Sequence, residues 1–211
     1  MKIEVGHQAE IGAVVMRCVE NCDTDSRPFV SELQFRHCPA SFDAMTACVA
    51  AALVFSDFCG ELIEFSGVSI GLDHRNAIEA IVPQASGIHP VDASKKDIRQ
   101  GRDVLVVAEA GRLVRTPLRV AEFAQAARLI TWSGDFIVAG APDGASYVGG
   151  QVFTNAGLVA GDTAVSLAVG LLVGGRNARM LHVGRPDSLE KAIAARYREG
   201  LSSIGVNVEI H

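Results

Sequence analysis

Two stretches of the chain share one order of apolar and polar positions. In the first, residues 29–36 alternate, with Phe29, Ser31, Leu33 and Phe35 on one face and Val30, Glu32, Gln34 and Arg36 on the other. The chain then turns through His37 and Cys38 to Asp43, stays almost wholly apolar to Phe55, passes Gly60 and closes on a short apolar segment at 62–65. In the second, a strand pattern over 147–153 leads through Asn155 to Asp162, an apolar run reaches Val173, Gly174 and Gly175 follow, and a short apolar segment closes at 180–183. Alternation with period two predicts a half-buried strand. An apolar run of about a dozen residues predicts a helix buried on most sides, because a membrane span needs about 20.

The rest of the chain reads in the same terms. Strands are expected at 2–5 and 11–19, then a polar loop at 21–28, a strand at 61–69, and a helix at 74–82 opened by Asp73 and ended by Pro83. Residues 84–101 read as a connection. A strand at 103–108 is followed by a short apolar step at 113–114 and a helix at 116–128, started by Thr116 with proline at its first position. Strands at 129–132 and 136–139 flank a turn, Pro142 opens another, and a last helix runs from Pro186 to near Gly200 before a strand at 206–210. The predicted fold is α/β: two similar strand–helix–strand–helix halves, 1–90 and 91–211, with mixed sheets, two buried apolar helices and one shared core.

Spacing tests the likeness of the halves. Phe35 and Phe153, His37 and Asn155, and Phe65 and Val183 are each 118 positions apart; Asp43 and Asp162, Leu53 and Leu172, and Val54 and Val173 are each 119 apart. These offsets accord with an internal duplication. Identity is sparse, and similar patterning alone produces such matches. A duplication would bring the two apolar helices together, through Ala47, Ala50, Ala51 and Ala52 on one and Ser166, Gly170 and Gly174 on the other, since small residues let helix axes approach closely.

Composition narrows the function classes. Apolar residues make up 49% of the 211 and charged residues 20%, with only 6% aromatic, so the expected core is aliphatic. The net charge of −5, without a basic block beyond Lys95 and Lys96, argues against nucleic acid and against an anionic membrane surface. No secretory leader pattern opens the chain, and a cytoplasmic location is the expectation. The five cysteines, Cys18, Cys22, Cys38, Cys48 and Cys59, are odd in number and read as reduced thiols.

Candidate chemistry gathers before the two apolar helices. His37 and Asn155 hold matching places after a strand and before a helix N-terminus, where unpaired N–H groups and the macrodipole favour an anion. An imidazole serves as acid or base, and an amide can bind a carbonyl or carboxylate. Loop-anchoring hydrogen bonds would account for both residues equally well. Cys38 is the one thiol whose position before a helix could lower its pKa and make it a nucleophile. His37, Cys38 and Asn155 are therefore the catalytic candidates, with Arg36, Asp43, Asp162 and Arg176 as ligand-binding candidates. Helix capping alone would explain Asp43 and Asp162. Cys18, Cys22, His37 and Cys38 form a poor metal set, because extended backbone holds Cys18 and Cys22 about 13 Å apart, and no metal is expected. No phosphate-loop, dinucleotide, serine-elbow or HExxH pattern occurs.

The functional expectation is a small-molecule site, for an anionic metabolite, between two pseudo-symmetric halves of a homo-oligomer. The alternative is a non-catalytic oligomeric structural or regulatory protein. Neither the reaction nor a cofactor is legible in the residues.

Overall fold

An uninterrupted apolar run becomes a helix when its neighbours cover it on every side. In the computed structural model Ala44–Phe55 form helix α1, buried from Met45 to Phe55, and Asp162–Gly174 form α3, buried from Thr163 to Gly174. The structure describes residues 1–20, 25–38, 42–96, 103–109, 127–133, 150–184 and 191–210. The helix expected at 116–128 lies outside them as far as residue 126, as do the step at 113–114, the strand at 136–139, the turn at Pro142 and the start of the last helix at 186–190.

The strands are β1 (Lys2–Gln8), β2 (Ala13–Glu20), β3 (Glu32–Arg36), β4 (Leu62–Ser66), β5 (Gly87–His89), β6 (Asp103–Glu109), β7 (Ala127–Ser133), β8 (Gly150–Thr154), β9 (Ala178–Val183) and β10 (Asn207–Ile210). Two further helices are α2 (Leu72–Ile81) and α4 (Lys191–Ser203). The ten strands among the described residues join one mixed sheet in the order β10-β9-β6-β7-β8-β3-β2-β1-β4-β5. The fold is therefore α/β. The sheet is continuous through its middle, where β3 and β8 pair antiparallel with Phe35 opposite Thr154 and Arg36 opposite Phe153.

Outward from that central pair, one side runs β3-β2-β1-β4-β5 and the other β8-β7-β6-β9-β10. Each innermost strand is followed in the chain by a buried helix, α1 or α3, and each outermost pair is joined through a second helix, α2 or α4. Direction separates the two sides at one strand. β2 is antiparallel to β1 and β3, whereas β7 is parallel to β6 and β8.

Alternation assigns the faces. Ile3, Val14, Met16, Leu33, Phe35, Ile63 and Phe65 are buried on the face that α1 covers. Full burial of one such side chain contributes about 1.5–3 kcal/mol. α1 packs on α3, and α2 packs on α4. Asp43 at the start of α1 meets Arg176, just past the end of α3, so the two buried helices run antiparallel.

The small residues of α3 do not serve the helix pair as expected. A methyl group on Gly174 would lie 2.5 Å from Ala178 Cβ and 2.7 Å from Leu105 Cδ1, and one on Gly170 would lie 2.9 Å from a Leu181 methyl. These glycines press α3 onto its own strands β6 and β9. Gly200, expected as a helix end, lies inside α4, where a Cβ would come 2.7 Å from the Ala77 carbonyl oxygen on α2. The segment 84–101 contributes β5, which three residues are too few to announce by alternation.

Candidate functional site

The antiparallel pair β3·β8 governs where the candidate residues fall. Each strand leads to its own helix, so His37 and Asn155 leave the seam at opposite ends. The structure brings Asp43 to Arg176 and His37 to Phe153, and leaves Asn155 and Asp162 at the far end.

Asp43 holds the N-cap position of α1 with extended backbone, φ −109° and ψ 107°, and its side chain makes no capping bond to backbone N–H. The Thr46 hydroxyl donates to its carboxylate at 2.6 Å instead. Arg176 Nε stands 3.6 Å from the same oxygen; the Asp43 side chain is 10% exposed and the Arg176 side chain 53%. Arg176, just past the end of α3, thus supplies a cation beside the first turn of α1. Beside them Phe42 stacks on His7, ring centroids 5.4 Å apart and planes 8° from parallel. His7 Nε2 is buried without a hydrogen-bond partner among the described residues. The strand expected at 2–5 stops short of His7; continued alternation from Ile3 and Val5 would have placed it on the helix-facing side of β1.

His37 ends β3 with φ +66°, a left-handed conformation that is uncommon for a residue with a Cβ. Its exposed ring meets Phe153 edge-on at 5.1 Å. Arg36, on the face away from the helices, donates to Gln34 Oε1 from Nε at 3.2 Å and from a terminal nitrogen at 3.0 Å.

Cys38 turns inward. Its backbone N–H donates to Gly12 O at 2.8 Å, and burial pushes its thiol up to about 12. The expectation of a lowered pKa is corrected: loss of hydration outweighs any pull from the helix that follows. Burial likewise pushes Cys59 up to about 12 and raises Cys48 and Cys18. Cys22 lies outside the described residues.

Asn155 works as a surrogate strand residue. Its Oδ1 accepts the Gln34 backbone N–H at 2.8 Å and its Nδ2 donates to Glu32 O at 3.0 Å. The amide thereby extends the β3·β8 ladder one step after β8 has bent away into a 3-10 turn at Ala156–Leu158. Asp162 is the first residue of α3 and Gly161 is the cap, one place earlier than expected.

On the open face of the sheet, Arg17 lies opposite Glu4 in register, with Nη1 3.7 Å from Glu4. Arg17 donates to Glu32 Oε2 from Nε at 3.0 Å and from Nη2 at 2.6 Å. Gln34 donates to Glu32 as well, at 2.9 Å, and together these bonds hold the Glu32 carboxyl below the usual range. Sequence reasoning missed this group, because single charges on an exposed strand face carry no spacing signal.

Among the described residues no cluster of three or more His, Cys, Asp or Glu side chains is placed to hold a metal ion. No described helix is long and apolar enough to cross a membrane. No protein-family model, curated protein or solved structure matches the chain.

Proposed function

We propose that the protein is built of two copies of one unit, residues 1–90 and 91–211, and takes an anionic metabolite where α1 and α3 meet, as an enzyme or a binding protein. The matching order of strands and helices on the two sides of the β3·β8 pair supports the duplication. One observation carries the site: Arg176, half exposed, stands at the start of α1. The Asp43 side chain makes no capping bond to the first N–H groups of α1, and a helix N-terminus with an adjacent guanidinium suits a carboxylate or phosphate. Asp43 competes for the same positive region. Asn155 enters this proposal as the residue that holds the seam, and His37 and Arg36 as side chains on its other face. A cytoplasmic location belongs to the same reading.

Thermal shift with inorganic phosphate and a set of di- and tricarboxylates tests it. A ligand that prefers the folded state raises the melting temperature. Asp43→Asn is expected to enlarge the shift and Arg176→Ala to remove it. A folded Arg176→Ala protein with the full shift overturns the site.

Exposed apolar side chains favour a second reading, a non-catalytic homo-oligomer. Phe29 is 90% exposed and Leu158 63%. Light scattering checks it: Phe29→Glu should dissociate the oligomer, and a wild-type mass that stays monomeric at high concentration removes the reading.

A further inference from the structure

The face of the sheet turned away from α1 and α3 carries a groove that the seam does not use. It has a volume of about 390 Å³ and is lined by Glu4, Val5, Gly6, Val15, Arg17, Ser66 and Gly67. That volume falls in the range of small-molecule sites, about 300–1,000 Å³.

Three observations give the groove a chemistry. The first is Gly6. A glycine inside a strand weakens it, and a usual reason is the close approach of another group. Among the described residues no atom is that group: a Cβ at Gly6 would meet nothing within 4 Å. The side chain it lacks would project into open space, so its absence keeps the floor low beside Val15.

The second is the rim. Glu4 and Arg17 face each other across β1 and β2 at 3.7 Å, beyond hydrogen-bond reach. Glu32 accepts from Arg17 through Nε and Nη2, while Nη1 and Glu4 form an ion pair longer than a hydrogen bond. The rim therefore offers an acceptor and a donor of opposite charge a few ångströms apart. The third is Ser66, whose Oγ is buried in the wall without a partner among the described residues. An unsatisfied buried hydroxyl of this kind costs about 1–3 kcal/mol.

From these we infer that the groove binds a compact zwitterion, an α-amino acid with a short aliphatic side chain. Its ammonium meets Glu4, its carboxylate meets the Nη1 edge of Arg17, and its side chain lies over Gly6 and Val15. A lone amine or a lone carboxylate satisfies only half of the rim and leaves the other charge facing it. The inference is independent of the seam, since the groove lies on the opposite face of the sheet from α1.

Calorimetric titration of the full chain with L-leucine tests it, beside isoamylamine, which lacks the carboxylate, and 4-methylpentanoate, which lacks the amine. Leucine is expected to bind at least tenfold more tightly than either. Gly6→Val raises the floor with a Cβ that meets nothing within 4 Å among the described residues, and valine suits a strand. It should weaken leucine binding at least tenfold while the melting temperature holds or rises. Absence of binding by leucine, equal binding by either analogue, or undiminished binding by folded Gly6→Val each overturns the inference.

Discussion

The two sides of the sheet reach the same order of elements by different local means. On the first side, β1 returns directly to β2 through a 3-10 turn at Ala9–Ile11 and Gly12 at φ +57°, an antiparallel hairpin. On the second, β6 and β7 are parallel, and the chain from 109 to 127 is long enough for the crossover that parallel strands require. The faces away from the helices differ too. On the first side this face exposes Arg17 and Arg36, whereas on the second Val106 and His182, opposite each other in register, are buried. The buried helices differ in their small residues: α1 uses Ala47, Ala50, Ala51 and Ala52, while α3 uses Gly170 and Gly174 where β6 and β9 come close. An order of elements is thus compatible with either strand direction at one place, provided the innermost strand and its helix are kept.

The halves should part most widely in alkali. All the described cysteines belong to the first side, and those at Cys38 and Cys59 are held up to about 12 against an ordinary 9.0. A raised thiol pKa means that the folded state keeps its proton while the unfolded chain loses it. This stability is fully present below about pH 9 and is lost as pH rises towards 12. The slope is about 1.4 kcal/mol per pH unit for each such thiol, so two units approach the whole stability of a domain. Chemical denaturation at pH 8, 9, 10 and 11 measures it. Cys38→Ala should flatten the slope, and an unchanged slope would sink the attribution.

Gly174→Val sharpens the comparison of the two helices. If Gly174 were only a helix terminator, the change would be mild. Because a Cβ there meets Ala178 and the Leu105 side chain, overpacking should cost about 3 kcal/mol. Ala51→Gly in α1, which opens no clash, should cost about 1 kcal/mol through helix propensity. Urea midpoints of both variants check the ratio.

What was legible follows from the length and cover of each element. α1 could be read to the residue, because a dozen apolar positions leave no other outcome than a covered helix. α3, β6 and β9 could be read nearly as well. β5 could not, since three residues carry no period. The paired places of His37 and Asn155 were visible, but not that an antiparallel seam sends them to opposite ends. That separation depends on the pairing of β3 with β8, which no local pattern encodes. Cys38 was misjudged for a related reason: its position before a helix was visible, and its burial was not. Asp43 and Arg176 were each named from the sequence, while their meeting rests on α1 and α3 running antiparallel.

His37 and Asn155 also give the clearest contrast of sign. Asn155→Ala leaves the Gln34 N–H and Glu32 carbonyl without their partner, at a cost of about 1–3 kcal/mol. His37→Gly removes a left-handed strain of about 1–2 kcal/mol and loses an edge contact of about 0.5–1.5 kcal/mol with Phe153. Its net effect should lie within about 1 kcal/mol of wild type. Equal losses in the two variants, measured by denaturant titration, would mean that the matched positions do the same work after all.

The smallest effect is expected where the halves touch by charge. Arg176 reaches Asp43 at 3.6 Å, longer than a hydrogen bond, and its side chain is more than half exposed. Such a pair contributes under about 1 kcal/mol and is screened by salt. Asp43 keeps its bond from Thr46 when Arg176 is gone, so Arg176→Ala should cost a few tenths of a kcal/mol at low ionic strength and nothing in 1 M salt. A cost above about 2 kcal/mol that survives high salt would show that Arg176 holds the helix pair together by packing. The guanidinium would then belong to the architecture of the seam, and no ligand would be needed to explain why it stands there.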